Sequence, residues 1–68
     1  MELQINNQTV AFKEKRLSIQ TMLDIQHPTT QKGIAVAVNN NVIPKVQWAT
    51  HMLNNTDDIL IITATQGG

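Results

Sequence analysis

The chain has 68 residues, with five Lys and Arg against five Asp and Glu, so its formal net charge is zero. This length fits one small domain that buries about 60% of its unfolded surface, and the balanced charge disfavours generic binding to nucleic acid or to an anionic membrane. The sequence has no cysteine, no signal-peptide pattern and no apolar run approaching the roughly 18 residues of a membrane span, so we expect a cytoplasmic protein without disulfides, thiolate metal sites or thiol nucleophiles.

The first twelve residues predict a β-hairpin. Apolar and polar residues alternate on both sides of the turn dipeptide Asn6-Asn7, which is the period-two pattern of strands with one buried face. The residues expected on that buried face are Leu3, Ile5, Val10 and Phe12.

Residues 13–16, Lys-Glu-Lys-Arg, are the only run of charges between predicted elements. Four residues of mixed sign at such a place are typical of a solvated loop. Docking of a phosphate or a protein is the alternative interpretation.

One helix is predicted to begin after Ser18, whose hydroxyl suits an N-cap. The apolar residues at i, i+3 and i+4 share one helix face, which we expect to lie on the sheet: Ile19, Met22 and Leu23. His27-Pro28 ends the helix, because the residue before a proline is disfavoured in the α region. Residues 29–33 are then an exposed connector.

Residues 34–38 predict a third strand, with bulky side chains on one face and Ala35 and Ala37 on the other. Asn39-Asn40 tolerates the positive φ of a tight turn. Residues 41–43 begin a short returning strand, which Pro44 stops because it cannot donate to a ladder.

The residues after Pro44 predict a short helical turn that carries Trp48. In a domain this small, the only indole is expected to cover one end of the core. A stacking site for a base or a sugar is the alternative interpretation of Trp48.

Residues 54–57, Asn-Asn-Thr-Asp, predict a turn, and residues 59–64 have the composition of a buried strand. Asp57 and Asp58 lack further clustered ligands, so we interpret them as turn residues and not as a metal site. Neither histidine completes a metal or catalytic set, and Ser18 has no arranged base. We therefore expect no enzyme.

A tail of residues 65–68 is expected to be flexible, because Thr65 and Gln66 offer little to bury and two glycines follow. It reaches at most about 13 Å at roughly 3.3 Å per extended residue, enough to enter a narrow cleft while a domain of residues 1–64 stays outside. The last two residues, Gly67 and Gly68, place an unhindered carboxylate at the end of this tail.

The order of predicted elements indicates an α+β fold. One helix lies across a mixed sheet of four to five strands, which is the β-grasp plan of ubiquitin-like proteins. Residues 35–49, Ala-Val-Ala-Val-Asn-Asn-Asn-Val-Ile-Pro-Lys-Val-Gln-Trp-Ala, carry a more specific pattern, which continues in Leu53, in Asp57-Asp58-Ile59 and in Thr-Ala-Thr-Gln-Gly-Gly at 63–68. This half of the chain resembles the ThiS family, the bacterial sulfur carriers of thiamine biosynthesis.

The resemblance implies a carrier whose terminal Gly68 carboxylate is adenylated and then converted to a thiocarboxylate, with Gly67, Gln66 and Thr65 forming the tail. The implied partners are a ThiF-like adenylating enzyme that uses ATP and magnesium, a sulfur donor such as a cysteine desulfurase, and a ThiG-like thiazole synthase. The chain itself is expected to bind no cofactor, no nucleic acid and no membrane, and to be a monomer when alone.

Three positions depart from the family pattern: Asn40 and Thr56 replace turn glycines, and Leu60 replaces a frequent glutamate. Asn40 tolerates positive φ, whereas β-branched Thr56 does not, so we expect that turn to be rebuilt. If Ile59 and Ile61 face the helix, Leu60 and Ile62 face away from it.

An exposed apolar patch of Leu60, Ile62, Ala35 and Ala37 would suggest a partner-binding surface. Coverage of that patch by neighbouring loops is the alternative. Two other functions also remain open: a carrier like the small subunit of molybdopterin synthase, whose usual Phe-Pro-Pro-Val-Ala-Gly-Gly ending is absent here, and a β-grasp interaction module whose Gly-Gly is coincidental.

Overall fold

The computed structural model describes residues 1–28 and 33–63. In chain order, the elements of this part are β1 (Glu2–Ile5), β2 (Gln8–Ala11), α1 (Ile19–Gln26), β3 (Ile34–Val38), β4 (Asn41–Ile43), a 3-10 helix (Lys45–Gln47) and β5 (Asp58–Thr63). Most of the predicted connector, at residues 29–32, and the predicted tail together with residue 64 lie outside the described residues.

The described strands form one mixed sheet in the order β2-β1-β5-β3-β4. β5 runs parallel to β1 and antiparallel to β3, and the two hairpins β1-β2 and β3-β4 flank it. The helix α1 covers one face through the residues predicted from its spacing, Ile19, Met22 and Leu23, all of them buried. The β-grasp prediction is confirmed.

Two asparagine pairs make the two hairpin turns. Asn6 and Asn7 have φ of 50° and 67°, and Asn39 and Asn40 have φ of 49° and 72°. The ladders close at Ile5 opposite Gln8 and at Val38 opposite Asn41, so each turn has two central residues at positive φ, as in a type I′ turn. Asn40 therefore adopts the positive φ for which the family pattern has glycine.

The core lies between α1 and the sheet. Its buried members are Leu3, Ile5, Phe12, Leu17, Ile19, Met22, Leu23, Val36, Val38, Trp48, Leu53, Ile59 and Ile61. Val10 and Ile34, which the alternation also placed on the inner face, are partly buried against this cluster. The helix begins where predicted, since the Ser18 hydroxyl oxygen accepts a hydrogen bond from the Thr21 backbone N–H at 3.1 Å.

Trp48 is a structural residue of the core. Its side chain is 2% exposed, and its indole Nε1–H donates to the Ile43 carbonyl at 2.9 Å. The Trp48 carbonyl accepts from the Gln20 N–H at 3.0 Å, which ties the 3-10 helix to the start of α1. No ring face is left for a base or a sugar, so the core interpretation is confirmed and the stacking-site alternative is wrong.

The expectation that the turn at Thr56 is rebuilt to avoid positive φ is wrong, because this β-branched residue has φ of 69°. Two hydrogen bonds join this turn to β1. The Thr56 N–H donates to the Glu2 carbonyl at 2.6 Å, and the Glu2 N–H donates to Oδ1 of Asn55 at 2.8 Å. These bonds to a strand far away in sequence hold the left-handed conformation that the local sequence disfavours.

Replacing Trp48 with alanine is expected to lower the free energy of unfolding by about 3–5 kcal/mol, because it leaves a large cavity and the indole hydrogen bond is lost. Val46→Ala is the matched control: Val46 belongs to the same 3-10 helix and is 87% exposed. Chemical denaturation monitored by circular dichroism measures both. A Trp48→Ala protein as stable as the wild type would contradict the assignment of Trp48 to the core.

Thr56→Gly is expected to raise the free energy of unfolding by about 0.5–1 kcal/mol, because removing the left-handed strain of a β-branched residue outweighs the added chain entropy of glycine. Thr50→Gly is the control, since Thr50 is exposed and its φ is not positive; this variant should lose stability. Equal losses in the two glycine variants would show that Thr56 is not strained.

Candidate functional site

The face of the sheet opposite α1 carries the residues predicted for partner binding. Along β5 the inward residues Ile59 and Ile61 are buried, whereas Leu60 and Ile62 are each 47% exposed. This alternation confirms the predicted parity of the strand. Within residues 1–28 and 33–63, no loop covers Leu60 or Ile62, contrary to the alternative of a covered patch.

Strand register brings the four predicted surface residues together. Ala37 lies opposite Leu60 and Ala35 lies opposite Ile62 in the antiparallel pair of β3 and β5, so the four side chains share one face as cross-strand neighbours. Ala35 is exposed. The prediction of exposure is wrong for Ala37, which is 7% exposed.

Val42 explains the burial of Ala37. The β3-β4 register places Val42 opposite Ala37 on the side away from Leu60, so the alanine methyl lies between two larger side chains of the same face. Val42 itself is 69% exposed and extends the apolar surface by one strand. Sequence reasoning missed Val42, although the two-residue turn at Asn39-Asn40 fixes this register and was available to find it.

An open groove of about 400 Å³ lies on this face, and we call it the outer-face groove. Its exposed apolar lining residues are Val42, Leu60 and Ile62, with Ala37 between them. Its polar lining residues are Asn6, Asn7, Asn40 and Asp58. An apolar floor with amide and carboxylate groups around it fits an apolar protein surface whose edge carries hydrogen-bond donors.

A second cleft, of about 540 Å³, lies elsewhere and shares no lining residue with the outer-face groove. Lys15 and Arg16 line it together with Met52 and residues 53–55. Both cations are exposed, in agreement with a solvated loop. If residues 13–16 docked a phosphate or a protein, they would do so at this second cleft and not at the outer-face groove.

The acidic pair after the turn has structural roles. Asp57 is nearly buried, and its carboxylate accepts from the Asn54 N–H at 2.8 Å and from Nδ2 of Asn39 at 3.1 Å. The Asp58 N–H donates to Oδ1 of Asn39 at 3.0 Å. Asn39 thus links the β3-β4 turn to the start of β5. Among the described residues, no three His, Asp or Glu side chains lie close enough to hold a metal ion.

The predicted tail residues Thr65, Gln66, Gly67 and Gly68 lie outside the described residues, so their roles stay predictions. The described part of the chain ends at Thr63, which pairs with Ile34 at the end of the β3-β5 ladder. In sequence, one residue separates the tail from the end of the central strand of the sheet. No helix in residues 1–28 and 33–63 has the length and apolar character needed to cross a membrane.

The known proteins to which this chain is similar agree on one family. A model of the ThiS family matches residues 3–68. The sulfur carrier protein ThiS of Escherichia coli strain K12 is 40% identical over 38 residues, which are 56% of this chain and 58% of that protein. The chain thus matches somewhat more than half the length of this curated relative.

Two solved structures share the fold. A crystal structure of the thiamine biosynthesis protein ThiS from Geobacter metallireducens superposes with a TM-score of 0.87, covering 100% of both chains at 16% identity. A solution structure of a thiamine biosynthesis protein from the same organism gives a TM-score of 0.78 at 21% identity, covering 100% of this chain and 88% of the other. At these identities the likeness concerns the fold alone.

Proposed function

The chain belongs to the ThiS family, and from this membership we propose that it is a sulfur carrier of thiamine biosynthesis. The observation that carries the proposal is that the family match runs to residue 68 and so includes the terminal Gly67-Gly68. The similarity to a protein named as a sulfur carrier supports the same conclusion. The molybdopterin-type carrier and the coincidental Gly-Gly are correspondingly disfavoured.

The Gly68 carboxylate is the proposed site of chemistry. A carboxylate is a poor acyl donor, and reaction with ATP and magnesium on a partner enzyme converts it to an acyl-adenylate with release of pyrophosphate. Sulfur at the oxidation level of sulfide then attacks the acyl carbon and AMP leaves, which yields a thiocarboxylate; when the donor carries the sulfur as a persulfide, a thiol reductant must also cleave the S–S bond. Glycine has no side chain to obstruct the approach to this carbon, and a chain without cysteine has no thiol of its own to capture the activated acyl group.

In this proposal the chain is a substrate of other enzymes. An adenylating enzyme activates Gly68, a donor such as a cysteine desulfurase supplies the sulfur, and a thiazole synthase receives it. The outer-face groove is the proposed docking surface for the adenylating enzyme, because its apolar floor lies on the strand that leads into the tail. Thr65 and Gln66 lie between this strand and Gly67-Gly68 in sequence, and the proposal assigns them to the tail that enters the partner's active site.

Adding one residue after Gly68 is expected to abolish activation without changing the free energy of unfolding. The acyl carbon moves by about 3.3 Å, one extended residue, from where the adenylating site holds it. Deletion of Gly68 should have the same effect. Gly67→Val should impair activation, since a branched side chain restricts the backbone and widens the tail.

The measurement is intact mass after incubation with the adenylating enzyme, ATP, magnesium and sulfide, which supplies sulfur without a reductant. Wild type should gain the mass of one sulfur in place of one oxygen, and fragmentation should locate the change on Gly68. The control is a same-length variant, Gln66→Ala, which should still gain sulfur. Thiocarboxylation of the extended protein as fast as wild type would overturn the terminal-carboxylate mechanism.

Leu60→Glu is expected to weaken docking to the adenylating enzyme by about tenfold or more, because it places a charge in an apolar contact. The free energy of unfolding should change by less than about 0.5 kcal/mol at this exposed position. Val46→Glu is the matched control, a Val-to-Glu change at another exposed apolar residue, one that does not line the groove. Isothermal titration calorimetry with the adenylating enzyme measures both. Equal affinity of Leu60→Glu and wild type would remove the outer-face groove as the docking surface.

A further inference from the structure

The central strand β5 extends beyond the end of its parallel neighbour β1. Gln4 pairs with Asp58 and Ile5 pairs with Ile59, and β1 ends at Ile5 while β5 continues to Thr63. On the other side, β3 accompanies β5 as far as Thr63. The last part of β5 is therefore supported by a neighbouring strand on one side only.

Asn6 continues the ladder where β1 stops. The Asn6 backbone N–H donates to the Ile59 carbonyl at 2.9 Å. Two residues further along β5, the Asn6 side chain makes the next pair of bonds: the Ile61 N–H donates to Asn6 Oδ1 at 2.8 Å, and Asn6 Nδ2–H donates to the Ile61 carbonyl at 3.3 Å. The orientation of the side-chain amide is determined, because the Ile61 N–H requires an acceptor.

The conformation of Asn6 makes this substitution possible. With φ of 50°, Asn6 turns the chain away into β2, and its carboxamide, which has the donor and the acceptor of a peptide group, takes the place of the next backbone residue of β1. Asparagine is the side chain that combines tolerance of positive φ with such an amide. Ile61 is held on the β1 side by this amide, two residues before the end of β5.

We propose that Asn6 is a positioning residue that fixes the end of β5, the strand from which the chain continues to Gly68. This inference rests on the proposed function, in which the carboxylate of Gly68 must reach the active site of an adenylating enzyme. With Asn6 in place, Ile61 is bonded on the β1 side and the end of β5 is held on both sides. Without the Asn6 amide, β5 separates from the β1 side at Ile59, and the end of β5 takes up a wider range of orientations.

The variant that isolates this contact is Asn6→Gly, because glycine keeps the positive φ and removes only the side chain. Asn7→Gly is the matched control: Asn7 is its neighbour in the same turn, with φ of 67°, and no bond to Ile61 is found for it among the described residues. In the free protein, amide hydrogen exchange at Ile61 should accelerate about tenfold in Asn6→Gly, the loss of roughly 1.4 kcal/mol of protection. In Asn7→Gly it should match wild type. Unchanged exchange in Asn6→Gly would overturn the anchoring contact, whatever the function.

The positioning role is tested with the adenylating enzyme, ATP and magnesium under conditions in which all variants are folded. Asn6→Gly should lower kcat for activation of the carrier by about tenfold, because the carboxylate is less often in place. KM should stay within about twofold of wild type, since the outer-face apolar contacts remain. Thr56→Gly, a change to glycine at another residue of positive φ that does not line the groove, should leave both constants unchanged. A merely structural role of Asn6 predicts no change in kcat for folded protein, and that result would overturn the proposal.

Asn6→Asp provides a graded test. A carboxylate retains the acceptor for the Ile61 N–H but loses the donor to the Ile61 carbonyl, so exchange and kcat should fall between those of wild type and Asn6→Gly. Values for Asn6→Asp equal to those of Asn6→Gly would contradict the assigned role of the acceptor. If wild type itself were not activated, both the proposed function and the positioning role would be overturned. The hydrogen-exchange rates at Ile61 would still show whether the Asn6 side chain anchors β5.

Discussion

The structure depends on the place of β5 between β1 and β3. This last strand joins the two hairpins into one sheet, through parallel pairing on one side and antiparallel pairing on the other. Its inward residues Ile59 and Ile61 lie in the core beneath α1. Residues 64–68 follow this strand in sequence, so the carboxylate of the proposed function is attached to the strand that joins the two halves of the sheet.

The alternation along β5 separates two roles. Residues that face α1 contribute to the free energy of folding by removing apolar area from water, whereas Leu60 and Ile62 on the other face stay exposed and are free to contact a partner. In a chain of 68 residues, the free energy of unfolding is expected to be small. The proposed docking residues Leu60 and Ile62 are not members of the core, so contact with a partner there does not require a change in the packing beneath α1.

Local patterns in the sequence predict most of the fold, and long-range contacts account for what they miss. The asparagine turns, the Ser18 cap and the strand periodicities each act within a few residues, so they are readable from the sequence. The φ of Thr56 is imposed by Glu2, and the burial of Ala37 depends on side chains from two other strands. The Asn6 side chain meets Ile61 across 55 residues of sequence. The predicted surface residues are brought together, whereas the tail that is proposed to carry the chemistry lies outside the described residues.

The most direct test of this division compares the same substitution at two adjacent positions of β5. Ile61→Ala removes an inward side chain and should lower the free energy of unfolding by about 2–5 kcal/mol. Its folded fraction, measured by circular dichroism, should be activated by the adenylating enzyme with wild-type kcat/KM. Ile62→Ala removes an outward side chain and should cost less than about 1 kcal/mol of stability, yet lower kcat/KM for activation. If Ile62→Ala were activated like wild type while folded Ile61→Ala was not, the separation of folding and partner recognition along this strand would be wrong.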